Sequence, residues 1–180
     1  FLNSAPTRGF RTVLELCLYC TIIILLAAAT DIEARTIRQH RPQYLSAVVM
    51  NAATGEMLYQ KNADRPVQPA SVTKILSLYL IYEALSEGRV QPQDPVKISK
   101  TAWKTGGSRM FVDPGSDVPL DELIKGMSVV SANDASVALA EHMGGNVDAF
   151  VKKMNQKAQQ LGMTRSNFKN PHGLPAKGQR

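Results

Sequence analysis

The feature that most constrains the fold of this chain is a largely apolar run from Ile75 to Leu85. Apolar residues occupy almost every position of the run, so a helix built from it has no polar face. A helix that is apolar all round is buried, and Gly88 is well placed to end it. We therefore expect a helix buried on every side within one globular domain, which agrees with a hydrophobic share of 44%.

A serine and a lysine stand at the start of this predicted helix. Ser71 and Lys74 are three positions apart, a spacing that places both side chains on one helical face. The first turn of a helix also has free backbone N–H groups and a partial positive charge, which can hold a developing oxyanion. A nucleophile, a base and an electrophile can therefore come from one turn of chain. The same spacing recurs at Ser166 and Lys169, where no helical pattern follows, and we interpret that copy as coincidence.

Residues 1–29 differ in kind from the rest of the chain. Arg8 and Arg11 precede an apolar run from Leu16 to Ala29 that ends in small residues. This order is typical of a secretory signal peptide. The alternative is an uncleaved membrane anchor, although a spanning helix needs about 20 apolar residues. Either interpretation places the remainder outside the cytoplasm, in the periplasm or cell envelope, free or associated with the membrane.

The composition excludes several classes of function. Both cysteines, Cys17 and Cys20, lie in the predicted export segment, so the exported part has neither a disulfide nor a cysteine nucleophile. The three histidines are far apart and show no metal-ligand spacing. The net charge is +6, but no block of basic residues alternates with aromatic ones as in a nucleic-acid groove. We expect no metal, no cofactor and no nucleic-acid partner.

The remaining pattern alternates short strands with amphipathic helices. A strand over 45–50, a turn and a second strand over 56–59 predict an antiparallel hairpin. The apolar spacing further along predicts another strand and three helices. Their ranges are 96–99 for the strand, and 119–127, 134–143 and 146–162 for the helices, with an irregular stretch over 104–117.

A second candidate site lies between two of these predicted helices. Ser131 and Asn133 are two positions apart in a tight connection, where both side chains can point into one cleft. The alternative is structural, because serine and asparagine are favoured at helix N-termini and Asn133 with Asp134 can cap the next helix. The pairing of Ser71 and Lys74 with a later Ser-x-Asn favours a catalytic interpretation.

Three segments together resemble a known family. They are 69–74, 131–135 and 170–175, and they look like the low-molecular-mass penicillin-binding proteins that are D-alanyl-D-alanine carboxypeptidases. The resemblance implies an α/β (α+β) fold of the β-lactamase/transpeptidase type, an antiparallel sheet with flanking helices. We expect residues 40–180 to be a partial catalytic domain of this kind, truncated before the strand that carries the third motif.

The resemblance also implies roles for individual residues. Ser71 would attack the peptide bond between two D-alanines, and Lys74, neutral, would take its proton. Ser131 would relay a proton to the leaving D-alanine, and Asn133 would hold the substrate amide. The implied partners are the peptidoglycan stem peptide and β-lactam antibiotics as covalent inhibitors.

One further motif match and two alternative functions have to be weighed. Lys104-Thr105-Gly106 has the letters of the third motif but precedes Ser131, whereas the family places that motif later, so we interpret the match as coincidence. A class A β-lactamase would need a deacylating glutamate downstream, but residues 150–180 contain no Asp or Glu. A catalytically silent cell-wall binding module is the other alternative.

Overall fold

The computed structural model of the protein describes Tyr19, Cys20, Ile22 and residues 44–180. Most of the predicted export segment, with Cys17, lies outside the described residues, and Cys20 is exposed with a free thiol. Within the described part, no helix combines the length and the apolar character that crossing a bilayer requires. The chain divides into two compact units, Phe1–Ala63 and Asp64–Arg180.

The first unit contains the predicted hairpin. Strands β1 (Ala47–Met50) and β2 (Met57–Lys61) pair antiparallel, with a bulge between Val49 and Met50. The Asn51 side chain shapes the turn, because its Oδ1 accepts a hydrogen bond from Ala53 N at 2.9 Å. The prediction of a hairpin is confirmed, with the second strand beginning one residue later than expected.

The second unit begins with a 3₁₀ turn at Ala70–Val72 and is built mainly of helices. They are α1 (Thr73–Ser86), α2 (Lys100–Lys104), α3 (Leu120–Val129), α4 (Asn133–Gly144) and α5 (Val147–Gln160). Strands β3 (Pro95–Lys97) and β4 (Asp117–Pro119) form a second antiparallel pair. The predicted long helices are confirmed to within about two residues, which is the usual uncertainty at helix ends. The short α2 and β4 were not predicted, and the described strands form two small sheets where one was expected.

Helix α1 is not buried on every side, so that prediction is wrong for the described structure. Its inner face packs into the core, whereas Ile75, Tyr79 and Tyr82 are 67%, 45% and 54% exposed. The reason is that the other elements of the second unit pack against one side of the helix only. The predicted stop is correct: Gly88 has a φ of +70°, and the chain after it turns back so that Arg89 N donates to Ala84 O at 2.9 Å.

Two hydrophobic clusters hold α1 in place. The first joins it to β3, α3 and α4 around Ile81, Leu123 and Leu139, all fully buried. The second joins it to α4 and α5 around Phe150 and Met154. Because α1 and α4 contribute to both clusters, packing fixes the first turns of these two helices in space. Lys74 and Asn133 lie in these two turns, and Ser71 and Ser131 lie directly before them.

Candidate active site

The first turn of α1 brings Ser71 and Lys74 together. Ser71 lies in the exposed 3₁₀ turn, and Lys74 is the second residue of α1 and only 4% exposed. Lys74 Nζ donates hydrogen bonds to Ser71 Oγ at 3.3 Å and to the backbone oxygen of His172 at 2.9 Å. The contact between serine and lysine that the spacing predicted is therefore present.

The surroundings of Lys74 favour its neutral form. Burial lowers the pKa of the Lys74 amine below its usual value of 10.5, because a cation loses solvation there. The amine also sits at a helix N-terminus, where the backbone dipoles place a partial positive charge. A lowered pKa raises the fraction of the neutral amine, which is the form that can accept a proton from a neighbouring hydroxyl.

His172 supplies its backbone rather than its ring to this site. Burial, and secondarily the positive charge of Lys74, lower the pKa of the imidazole to about 4. The neutral ring accepts a hydrogen bond from Leu174 N to Nδ1 at 3.1 Å. The ring therefore shapes its own turn, while the carbonyl of the same residue faces the lysine.

The segment 170–174 is pressed directly against the turn that carries Ser71. Gly173 has a φ of +90°, and a Cβ there would lie 1.8 Å from the backbone oxygen of Ala70. Only glycine fits both the backbone angle and the space. Asn170 closes the loop, since its Oδ1 accepts from Gly173 N at 2.7 Å and its Nδ2 donates to Leu174 O at 2.9 Å. The sequence pattern marked this segment as part of the resemblance but did not indicate that it contacts Lys74.

The second motif holds Asn133 in a different loop. Asn133 is the first residue of α4 and 4% exposed, so it lies inside the helix and not at its cap. Its backbone N donates to Ser108 O at 2.7 Å and its Nδ2 donates to Gly106 O at 2.8 Å. These bonds leave the side-chain oxygen of Asn133 as the group able to accept from a ligand.

A glycine joins the two motifs. A Cβ on Gly107 would lie 2.6 Å from Asn133 Nδ2 and 3.6 Å from the Leu174 side chain, so the loop over 106–108 is packed between them. Lys74 touches the residue two before Leu174. Lys74 and Asn133 therefore both lie close to the segment 172–174, Lys74 directly and Asn133 through the loop over 106–108.

Among the described residues, no hydrogen bond joins Ser131 to the serine and lysine of the first motif. Its side chain is partly exposed. Its backbone adopts a φ of +57°, as does that of Ala70 at +48°. Such angles in residues other than glycine store strain and are frequent at functional sites.

Asp134 holds the loop beside Asn133, and no sequence pattern indicated that role. The carboxylate is 1% exposed and accepts from Met110 N to Oδ1 at 3.1 Å and from Phe111 N to Oδ2 at 3.0 Å. Both donors follow the segment over 106–108 that touches Asn133. The aspartate that seemed a candidate cap for α4 therefore also fixes one wall of the site.

Lys104-Thr105-Gly106 does not occupy a strand. Lys104 is the last residue of α2 and Thr105 follows as its cap, which agrees with our interpretation of these letters as a coincidental match. Gly106 still contributes to the site, through the backbone oxygen that binds Asn133. Among the residues that the structure describes, no group of His, Cys, Asp and Glu is arranged to hold a metal ion.

The family model for D-alanyl-D-alanine carboxypeptidase matches residues 33–180. The chain belongs to this family. DacF, a D-alanyl-D-alanine carboxypeptidase of Bacillus subtilis, is 46% identical over 133 residues, covering 74% of this chain and 34% of DacF. The chain therefore spans about a third of the length of that curated relative.

Solved structures of related proteins have the same fold. The D-alanyl-D-alanine carboxypeptidase DacD of Francisella tularensis superposes with a TM-score of 0.73 at 42% identity, over 74% of this chain and 32% of DacD. Penicillin binding protein 5 of Haemophilus influenzae gives 0.72 at 41% identity, over 74% and 40% of the two chains. The predicted fold class, the penicillin-binding type with helices on antiparallel strands, is confirmed.

Proposed function

We propose that this chain carries the nucleophile and base of a serine-type D-alanyl-D-alanine carboxypeptidase, which removes the terminal D-alanine from peptidoglycan stem peptides. The observation that carries the proposal is the 3.3 Å hydrogen bond from the buried Lys74 amine to Ser71 Oγ. Family membership supports it, because that family is described by this activity. The activity belongs to the whole protein, of which this chain supplies the residues named below.

Acylation uses the 3₁₀ turn at Ala70–Val72 and the first turn of α1. Neutral Lys74 takes the hydroxyl proton of Ser71 while Oγ attacks the carbonyl carbon between the two D-alanines. The backbone N–H of Ser71, at a helix start, donates to the developing oxyanion. The C–N bond then breaks, and the Ser131 hydroxyl relays a proton to the departing amino group. The Asn133 side-chain oxygen accepts from the substrate amide.

Deacylation completes the reaction. Water attacks the ester on Ser71, a proton returns to the serine oxygen, and the shortened peptide leaves with a free carboxylate. A β-lactam ring opens on the same nucleophile and leaves a penicilloyl ester. Acylation by penicillin therefore reports on the same serine as peptide cleavage.

The test is a labelling experiment on the full-length protein. Incubation with a fluorescent penicillin and intact mass spectrometry should show one adduct, mapped to Ser71. A peptide ending in D-Ala-D-Ala should release D-alanine, and one ending in L-Ala-L-Ala should not. The intact mass also gives the mature N-terminus, which distinguishes cleavage of a signal peptide from retention of an anchor.

The chain offers its own matched control. Ser71→Ala should abolish the adduct, whereas Ser166→Ala, which removes the other serine with a lysine three positions later, should leave it unchanged. Rapid turnover of penicillin without a lasting adduct would favour a β-lactamase. Binding of cell-wall peptide with no adduct at all would favour a silent binding module. Either result would sink the proposal.

We further propose that residues 1–29 direct export, as a signal peptide or an anchor, so that residues 40–180 act as a partial catalytic domain in the periplasm or cell envelope. The order of basic, apolar and small residues in 1–29 supports this proposal. A peptidoglycan substrate also requires a location outside the cytoplasm.

A further inference from the structure

A second side chain of α1 binds the loop that receives Lys74. Ser77 lies three positions after Lys74, on the same helical face, and is 1% exposed. Its Oγ donates to the backbone oxygen of Pro171 at 2.8 Å. Lys74 donates to the next carbonyl of the chain, that of His172, at 2.9 Å. Two consecutive carbonyls are therefore held by two consecutive turns of one helix.

Ser77 differs from the other buried serine of the helical core. Serine within a helix commonly donates back to the carbonyl four residues earlier. Ser136, also 1% exposed, does this, with its Oγ donating to Ala132 O at 2.7 Å. Ser77 instead reaches across to a loop 94 residues later in the chain. Its hydroxyl therefore acts between two parts of the fold and not within its own helix.

The direction of the His172 carbonyl controls the direction of the Lys74 amine. A neutral amine has two N–H groups and one lone pair, and a base must aim the lone pair at the proton it removes. The His172 oxygen can only accept, so one N–H points to it. The amine lies 3.3 Å from Ser71 Oγ, where it donates in this structure and where its lone pair must turn when it takes the hydroxyl proton. A small displacement of that oxygen would release the amine to rotate.

We propose that Ser77 is a positioning residue, which fixes the 171–172 backbone so that the Lys74 amine faces Ser71 during acylation. The inference rests on the function proposed above. Elsewhere in the loop, Gly173 meets Ala70, and Asn170 closes the turn within the loop. Besides Lys74 itself, Ser77 is the side chain of α1 that hydrogen-bonds the loop, and its Oγ also lies 3.6 Å from Met154 Sδ.

The test compares Ser77→Ala with Ser136→Ala in the full-length protein. Acylation by penicillin is followed at several concentrations, which separates the rate constant for acylation from the binding constant, and both are normalised to titrated active sites. For Ser77→Ala we expect the acylation rate constant to fall about tenfold or more, since misplacement of a catalytic group is costly. The binding constant should stay within about twofold. Ser136→Ala, matched in burial, should acylate at the wild-type rate.

A conservative variant separates positioning from packing. Ser77→Thr keeps the hydroxyl and should recover most of the acylation rate constant lost in Ser77→Ala. If Ser77→Ala does not fold, Ser77→Cys keeps the volume with a weaker donor, and its acylation rate constant should still fall while binding is retained.

Three results would overturn the inference. The first is a wild-type acylation rate per active site in Ser77→Ala or, where that variant is unfolded, in Ser77→Cys. The second is a loss of acylation rate in Ser136→Ala equal to that in Ser77→Ala. The third is an acylation rate in Ser77→Thr no higher than in Ser77→Ala. Failure of the proposed function looks different, because the wild-type protein would then form no adduct on Ser71, and both proposals would fall together.

Discussion

Lys74 and Asp134 are two ionisable residues in matching places with opposite surroundings. Each is the second residue of its helix, α1 for Lys74 and α4 for Asp134, and each is almost fully buried. The carboxylate accepts hydrogen bonds from the backbone N–H groups of Met110 and Phe111 and from its neighbour Ala135. The amine has a serine hydroxyl and one carbonyl.

The difference shows that the same position in a helix can hold a structural residue, as in α4, or a residue suited to proton transfer, as in α1. The partial positive charge at a helix N-terminus stabilises an anion and destabilises a cation. The side-chain oxygens of Asp134 are satisfied by backbone N–H groups. The loss of solvent on burial lowers the pKa of the Lys74 amine, and the residue also lies at the positive end of its helix. A buried group that is poorly stabilised as an ion is available for proton transfer.

The largest expected effect is on activity, at Lys74. Lys74→Met keeps an unbranched side chain but removes the amine, and we expect the rate of acylation by penicillin to fall about 10²–10⁴-fold, the usual contribution of a general base. The free energy of unfolding should fall by at most about 3 kcal/mol, because the apolar stem is kept and only the donor to the part-buried His172 oxygen is lost. Stopped-flow acylation and urea unfolding check the two parts.

Lys125→Met is the control for Lys74→Met. Lys125 is exposed on α3 and pairs with Asp121 and Glu122 at the surface. Its loss should change neither acylation nor, beyond about 1 kcal/mol, stability. If Lys74→Met were acylated at the wild-type rate, Lys74 would be a structural residue like Asp134 and the contrast would disappear.

The second effect is on stability, at Asp134. Asp134→Ala leaves the part-buried N–H groups of Met110 and Phe111 without their acceptor, and we expect the free energy of unfolding to fall by about 2 kcal/mol or more. Urea unfolding of the full-length protein measures it.

Asp148 offers a matched control for this variant. It is the second residue of α5 and is exposed, so Asp148→Ala loses mainly the interaction with the helix dipole, at most about 1 kcal/mol. Equal losses in the two aspartate variants would mean that the dipole, and not the loop held by Asp134, accounts for its burial.

The third effect is a pH dependence that comes from the loop beside Lys74. The pKa of His172 is about 4 in the folded protein and about 6.5 in an unfolded chain. Between these values the unfolded state binds a proton that the folded state does not, so the free energy of unfolding falls as the pH is lowered from about 6.5 to about 4. Urea unfolding across this range should show a shallower decline for His172→Asn than for the wild type.

His142 provides the comparison for the His172 variant. It lies exposed on α4, and His142→Asn should keep the wild-type decline. If the free energy of unfolding declined as steeply in His172→Asn as in the wild type, the proton would be taken up by another group. His172 would then have no part in the pH dependence of stability.

The local parts of the site could be predicted from sequence. The spacing of Ser71 and Lys74 fixes their proximity once a helix begins there, and the hairpin and the three later helices follow from short-range patterns. The sequence placed Asn133 at the connection before α4. It did not indicate that the side-chain amide of Asn133 donates to the backbone oxygen of Gly106. Ser131 stays a prediction from the motif, since no hydrogen bond in the described residues joins it to the lysine.

The sequence by itself determined which residues can meet within one turn of helix, because the 3.6-residue period sets those distances wherever the chain lies. Only the tertiary structure decided which carbonyl receives the Lys74 amine, since His172 is 98 positions away along the chain. It also decided that one face of α1 is exposed and that Asp134 holds the loop next to Asn133. Such contacts depend on how distant segments pack, and burial, which lowers the pKa of Lys74, exists only after that packing.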